Sequence, residues 1–401
     1  MNPKSFSFGS LLVAVSALAS VATAQITVYS SRDSLVEAVS WRSVGPIHFS
    51  GRVVDIEVSP ADRSTWYIAS GSGGLFRTTT RGLSFEPIFD SHATTSIGDI
   101  AVDPSNADVL WVGTGEANNQ RSSYWGDGVY KSVDGGKTWN NVGLRDSHHI
   151  GRIVVDPRDG NRVFVAALGH LYSPNEMRGL YRTTDGGKTW HRVLGLDGAA
   201  GSDVGVVDVA FQPDNPDVLL AATYERRRRA WDFDGQGPGS GVWRSEDGGD
   251  TWSRIEALPS GEIGRIGIAF APSKPGVCYL TIENENRVAP PVQRARTEGD
   301  AEREADRDPE YDGEAPTAQG AARRPQARTT VGGEIYRSVD GGKTWDKTNG
   351  TPVGGSPAYY YGQVRVDPQN ENKLWVLSVP VFVSTDAGKT FKPNGAPALH
   401  T

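Results

Sequence analysis

The sequence predicts an all-β fold, a β-propeller of four-stranded blades, and three observations carry that prediction. The 401 residues include 48 Gly and 11 Trp but only two Met, a Gly share of about 12% against a usual ~7%. Such a chain suits many short strands and tight turns and argues against a helix bundle. An eight-residue segment recurs six times along it. Each copy belongs to a unit of roughly 50 residues with four short β-rich runs, and repeated small sheets of this kind, each with an apolar face it cannot bury alone, arrange radially.

Within a unit the runs follow one order. A first apolar segment ends in a turn, as in Ile100-Ala101-Val102-Asp103-Pro104, Ile153-Val154-Val155-Asp156-Pro157 and Val364-Arg365-Val366-Asp367-Pro368. A second follows, for example Val109-Leu110-Trp111-Val112-Gly113 or Arg162-Val163-Phe164-Val165-Ala166. The third, such as Val129-Tyr130-Lys131-Ser132, leads into the octet, and the fourth starts at its closing aromatic residue. First strands are expected near Val53, Asp99, Arg152, Val206, Arg265 and Gln363.

The octet reads Ser132-Val133-Asp134-Gly135-Gly136-Lys137-Thr138-Trp139 in its clearest form. The copies around Asp185, Asp247, Asp340 and Asp386 close on Trp190, Trp252, Trp345 and Phe391, and a worn first copy has Thr80 in place of Asp. Gly supplies the positive φ of a tight turn, and Asp folds its carboxylate onto nearby backbone N–H groups. Trp is expected to pack between adjacent sheets. These Asp and Trp residues are therefore read as structural. The octets resemble the Asp-box, the bacterial neuraminidase repeat, from Trp41 to about Asn394. Trp41-Arg42-Ser43-Val44-Gly45-Pro46, Gly113-Thr114-Gly115-Glu116-Ala117-Asn118-Asn119 and Ala167-Leu168-Gly169-His170 further resemble the bacterial relatives of the sortilin N-terminal propeller.

Residues 1–24 carry Lys4, an apolar stretch from Leu11 to Val21 and then Ala22-Thr23-Ala24, the order of a secretory signal peptide cleaved after Ala24. The expected location is thus secreted or periplasmic, without a membrane span. Residues 25–40 form a lead-in, and 41–401 the propeller of six repeats, interrupted at 287–331 by a polar stretch without periodicity that reads as a disordered insertion. Trp41-Arg42-Ser43-Val44-Gly45 looks like a lone fourth strand, so the ring is expected to be incomplete, with missing C-terminal blades of the same chain as its partner. A single cysteine, Cys278, rules out a disulfide framework or a multi-Cys metal centre. A net charge of −7 gives no field for nucleic acid.

Strands alternate in direction, so the loops after second strands lie away from the octets. Those loops are long at Glu116–Asp127, Gly169–Arg178, Glu225–Ser240 and Asn284–Gly332, and elaborated loops on a rigid scaffold carry binding and chemistry. Candidate ligand-binding residues are Glu116, Asn118, Asn119, Arg121, Tyr124 and Trp125 on the first, with His149, Arg152 and His170 nearby and Arg228 and Trp231 on the third. Rings, amides and guanidinium groups suit a peptide or a glycan. The histidines and Glu116 could ligate a metal, but the only short-range pair, His148 and His149, is adjacent and points apart on a strand, so neither metal nor cofactor is assigned.

The expected function is a sortilin-like, secreted binding propeller for peptide, protein or glycan, and the alternative is a glycoside hydrolase completed beyond Thr401. A sialidase of the Asp-box group would need an Arg-Ile-Pro signature where this chain has Ser50-Gly51-Arg52-Val53-Val54. Similarity to xyloglucanases would imply a catalytic Asp where the chain has Gly71. Glu116, Asp127, Glu176 and Glu225 remain as possible members of a carboxyl pair, and catalytic residues stay unknown.

Overall fold

The computed structural model describes residues 51–196, 203–256, 258, 262–284, 331–353 and 360–394. The expected signal peptide, the lead-in, the Trp41–Gly45 strand and the C-terminal residues from 395 lie outside them, as does most of the insertion. The third strand of blade 5 begins at Val331, one residue inside the boundary expected for that insertion.

Among the described residues, six antiparallel four-stranded sheets follow one another in sequence, each ordered from its first strand to its fourth. The first strands are Val53–Val58, Ile97–Asp103, Ile150–Asp156, Val204–Gln212, Ile263–Phe270 and Gln363–Asp367, within two residues of the positions expected. They converge on one axis. The Arg152 guanidinium of blade 3 lies 3.0 Å from Asp99 of blade 2, 3.1 Å from Asp208 of blade 4 and 3.8 Å from Asp55 of blade 1. A radial arrangement is what lets one side chain reach first strands from three other blades.

Successive sheets bury their faces against each other. Leu75 and Tyr67 of blade 1 pack with Ile100, Leu110 and Trp139 of blade 2. Equivalent cores hold Trp111 against Val163 and Val165, Phe164 against Leu219, and Leu220 against Leu280 and Trp345. The last joins Tyr279 and Ile335 to Val364 and Leu374. Because both faces are covered, Ile97–Asp103 is buried at every residue instead of alternating. Near the axis even backbones touch: a Cβ on Gly98 would sit 2.1 Å from the Ile150 carbonyl oxygen, and one on Gly151 2.3 Å from that of Val207. Val53, Ile56 and Val58 of blade 1 differ, each being about half exposed.

The octets build the turns between third and fourth strands as expected. Asp134 accepts the Lys137 and Thr138 amides at 3.0 and 2.9 Å and the Thr138 hydroxyl at 2.6 Å, while Ser132 Oγ accepts the Gly136 amide at 2.9 Å. The same set recurs around Asp185, Asp247, Asp340 and Asp386. These bonds, led by the Thr hydroxyl, hold Asp134, Asp247 and Asp386 down to about 2. The first octet Gly is left-handed at φ 70° in Gly135; Arg81 and Ala387 occupy that conformation without being Gly. The Trp residues divide into two kinds. Trp139 and Trp190 donate to the preceding blade at Ile88 and Val142, whereas Trp252 and Trp345 donate to their own octets at Gly249 and Gly342.

Candidate functional site

Second strands end where first strands begin: Val53 pairs with Ser70, Ile97 with Thr114, Ile150 with Ala167 and Gln363 with Leu377. The long loops therefore gather around the axis at the end opposite the octets. A pocket of about 390 Å³ opens there, lined by Arg52, Asn118, Arg265, Tyr360, Tyr361 and Gln363 among others. A larger depression of about 590 Å³ lies by the octets of blades 4 and 5, beside Arg244, Asp247 and Lys343. Its residues are engaged in turn bonds and surface ion pairs such as Glu246 with Lys343.

One buried carboxylate organises the rim of the axial pocket. Glu116 accepts Arg52 Nε at 2.7 Å, Arg52 Nη2 on its other oxygen, and Asn118 Nδ2 at 2.8 Å. Asn118 in turn accepts Arg265 Nη1 at 2.9 Å, so a chain of polar contacts crosses from blade 1 to blade 5. The Glu116 bond raises the Arg52 pKa above its ordinary value, and the guanidinium lies 5.3 Å from the Tyr360 ring centre. Gly71 completes the arrangement. A Cβ there would come within 2.9 Å of the Glu116 carboxyl carbon, so the space beside Gly71 is filled by a carboxylate delivered from blade 2.

The residues expected to bind ligand separate into three groups. Asn118 lines the pocket with Glu116 directly behind it. Asn119, His149, Arg152 and Arg228 are buried or nearly so and bind the protein to itself. Asn119 donates to Tyr224 OH at 3.0 Å and accepts from Arg226. His149 Nδ1 lies 2.7 Å from the Glu116 carbonyl oxygen, and burial followed by the Arg226 charge holds its pKa well below the ordinary value. Arg152 serves the axial carboxylates, and Arg228 stacks on Phe233 at 5.1 Å. The third group, Arg121, Tyr124, Trp125 and Trp231, is exposed, and His170 is half-buried beside Asp146. Within the Glu225–Ser240 loop of blade 4, Arg227–Arg228 pairs with Phe233–Asp234 in a small ribbon.

Arg52, Arg265, Tyr360, Tyr361 and Gln363 line the pocket without being among the residues the sequence marks as ligand-binding. A signal existed for two of them: Gly51-Arg52-Val53, Gly151-Arg152-Ile153 and Gly264-Arg265-Ile266 repeat at the start of first strands. Gly151 packs on the Val207 backbone, Gly51 and Gly264 lie against the Ser72 and Glu283 side chains, and the Arg after each reaches the axial carboxylates or lines the pocket. Tyr360 and Tyr361 carry no such repeat.

Known proteins extend this picture. The sequence model of the family described as Sortilin-Vps10 (sortilin, neurotensin receptor 3) matches residues 127–257. A xyloglucanase of a Paenibacillus species is 24% identical over 387 residues, 88% of this chain and 32% of the relative. That of Hypocrea jecorina is 23% identical over 393 residues, covering 89% of this chain and 40% of the relative. The chain thus spans well under half of these relatives. The solved xyloglucanase of Xanthomonas campestris superposes with a TM-score of 0.55 at 20% identity, over 86% of this chain and 46% of its own. An ancestral enzyme of the same glycoside hydrolase group gives 0.56 at 18%, over 86% and 37%. At these identities the structural likeness is one of fold.

Proposed function

We propose that the chain is a carbohydrate-binding propeller of the glycoside hydrolase kind represented by its xyloglucanase relatives, and that it receives a polysaccharide segment in the axial pocket. The pocket's chemistry carries this reading. Tyr360 and Tyr361 offer rings to the apolar face of a sugar, and Arg52, Asn118, Arg265 and Gln363 offer forked polar groups to its hydroxyls. The xyloglucanase relatives, similar over nearly nine-tenths of the chain, support a glycan over a peptide as the principal ligand.

Binding is the part of the activity these residues perform best. Glycoside hydrolysis takes two carboxyl groups about 5–9.5 Å apart, and no Asp or Glu lines the pocket among the described residues. Glu116, the carboxylate beside Gly71, is fully buried and committed to Arg52 and Asn118. Its role in this reading is to fix the guanidinium that meets the sugar. Export through the 1–24 leader would place the propeller where polysaccharides occur.

Calorimetric titration with xyloglucan and cellulose oligosaccharides tests the reading, alongside a reducing-sugar assay. The expected result is saturable binding, weakened at least tenfold by Tyr361→Ala, with no sugar release by the chain itself. Absence of binding to either glucan would overturn it. A second reading, peptide binding on the same face, is supported by the Sortilin-Vps10 match at 127–257. Its signature would be saturation on a peptide array with the glucans silent.

A further inference from the structure

The inter-blade loop 144–149 and the blade 3 loop 169–178 bring together three side chains that the glycan reading does not use. Asp146, His148 and His170 each offer one donor atom, all within 4.8 Å of one another. Asp146 Oδ1 is 3.0 Å from His170 Nε2 and 3.7 Å from His148 Nε2, and the two imidazoles stack with ring centres 3.7 Å apart. We propose that these residues form a binding site for a divalent transition metal of the zinc class, with three protein ligands and a fourth position left for water or a ligand.

The two carboxylate–imidazole distances bracket those of that ion, and the stacked rings would splay from 3.7 Å to about 5 Å between centres to bring both Nε2 atoms onto it. Tetrahedral zinc with bonds of about 2.0–2.1 Å holds its donor atoms about 3.3 Å apart, between the two separations observed. A contact of 3.7 Å is too long for a hydrogen bond, so His148 Nε2 faces the carboxylate across a gap that a proton does not fill. The donor set of two imidazoles and one carboxylate selects zinc, nickel or copper over calcium or magnesium, which take oxygen ligands.

The surrounding contacts orient the ligands as metal sites require. His170 Nδ1 lies 2.9 Å from Ser173 Oγ; without an ion Nε2–H donates to Asp146 Oδ1 at 3.0 Å, and with one the ring would carry its proton on Nδ1, donate to Ser173 Oγ and turn the Nε2 lone pair to the site. Asn175 Nδ2 donates to Asp146 Oδ2 at 3.0 Å, which leaves Oδ1 for the ion. His148 itself is held at φ 55°, ψ −43°, a sparsely populated conformation for a residue with a side chain, and such strain clusters at functional sites. Trp125, exposed and stacked at 6.2 Å on the His148 ring, covers one side.

The test is titration of the tag-free, chelator-treated chain with Zn²⁺ by calorimetry, and with Co²⁺ by visible absorption. One equivalent should bind. His170→Ala and His148→Gln should each abolish the Co²⁺ spectrum, and Ser173→Ala should weaken binding about 10–100-fold as loss of an orienting partner does. Replacing the exposed His191 should change nothing. Thermal midpoints measured in chelator separate loss of metal from loss of fold, and whichever histidine variant keeps its midpoint is the one read. Failure to bind either metal would overturn the proposal, as would wild-type affinity in a folded histidine variant.

Discussion

Replacing Glu116 with Ala separates a clamp from a catalyst. The carboxylate is fully buried, and its partner Arg52 is 35% exposed. Truncating one member of a fully buried pair costs about 3–5 kcal/mol, because the other charge is left unmatched. Arg52 regains water through its exposed part, which brings the expected loss to about 2 kcal/mol. Urea denaturation of the purified chain measures it. The space beside Gly71 supplies an internal control: Gly71→Ala alone meets the Glu116 carboxyl carbon at 2.9 Å and should destabilise, whereas in the Glu116→Ala background it should be tolerated. The two substitutions should therefore couple strongly in a double-mutant cycle. A Glu116→Ala chain with unchanged stability would refute the clamp, and sugar release by the unsubstituted chain that this substitution abolishes would make Glu116 a catalytic carboxyl.

Three further outcomes follow from the packing and the charges. Gly98→Ala should destabilise by at least about 2 kcal/mol or prevent folding, as an overpacked core does, because its Cβ would meet the Ile150 and Gly115 carbonyl oxygens at 2.1 and 2.5 Å; a wild-type urea midpoint would contradict the axial backbone contact. Ala387→Gly should stabilise by about 1 kcal/mol by relieving a left-handed Ala, whose φ is 62°, and a lower midpoint would count against strain there. Burial pushes Glu283 up to about 7 from 4.5. The folded chain then keeps a proton that the unfolded chain has released, so this residue's contribution falls as pH rises from 4.5 through about 7. Glu283→Gln should remove that slope from urea midpoints measured between pH 4.5 and 8; parallel profiles for the two proteins would exclude it.

The blades were legible because their turn chemistry is written out six times in contiguous residues. An Asp whose carboxylate must reach the amides of Lys137 and Thr138 stands at a fixed offset from them, and that offset is visible in each of the five copies that keep the Asp. The face carrying the pocket was legible for a related reason, since strand alternation sorts loops by position. The pocket itself was not. Arg52, Asn118, Arg265 and Tyr361 come from four blades and meet only because the first strands converge. Arg152 illustrates the same limit in reverse: a charged residue at the start of a first strand can serve a ligand or the axis, and only the positions of Asp55, Asp99 and Asp208 assign it to the axis. Likewise the sequence drew attention to His148 with its neighbour His149, whereas folding turns His149 inward to the Glu116 carbonyl and sets His148 against His170.

A crystal structure of the chain with a xyloglucan oligosaccharide bound would decide where function resides. Sugar density is expected over Tyr360 and Tyr361, within reach of Arg52 and Arg265, at the end away from the octets. Density confined to the depression beside Arg244 and Lys343, with the axial pocket left to solvent, would contradict it.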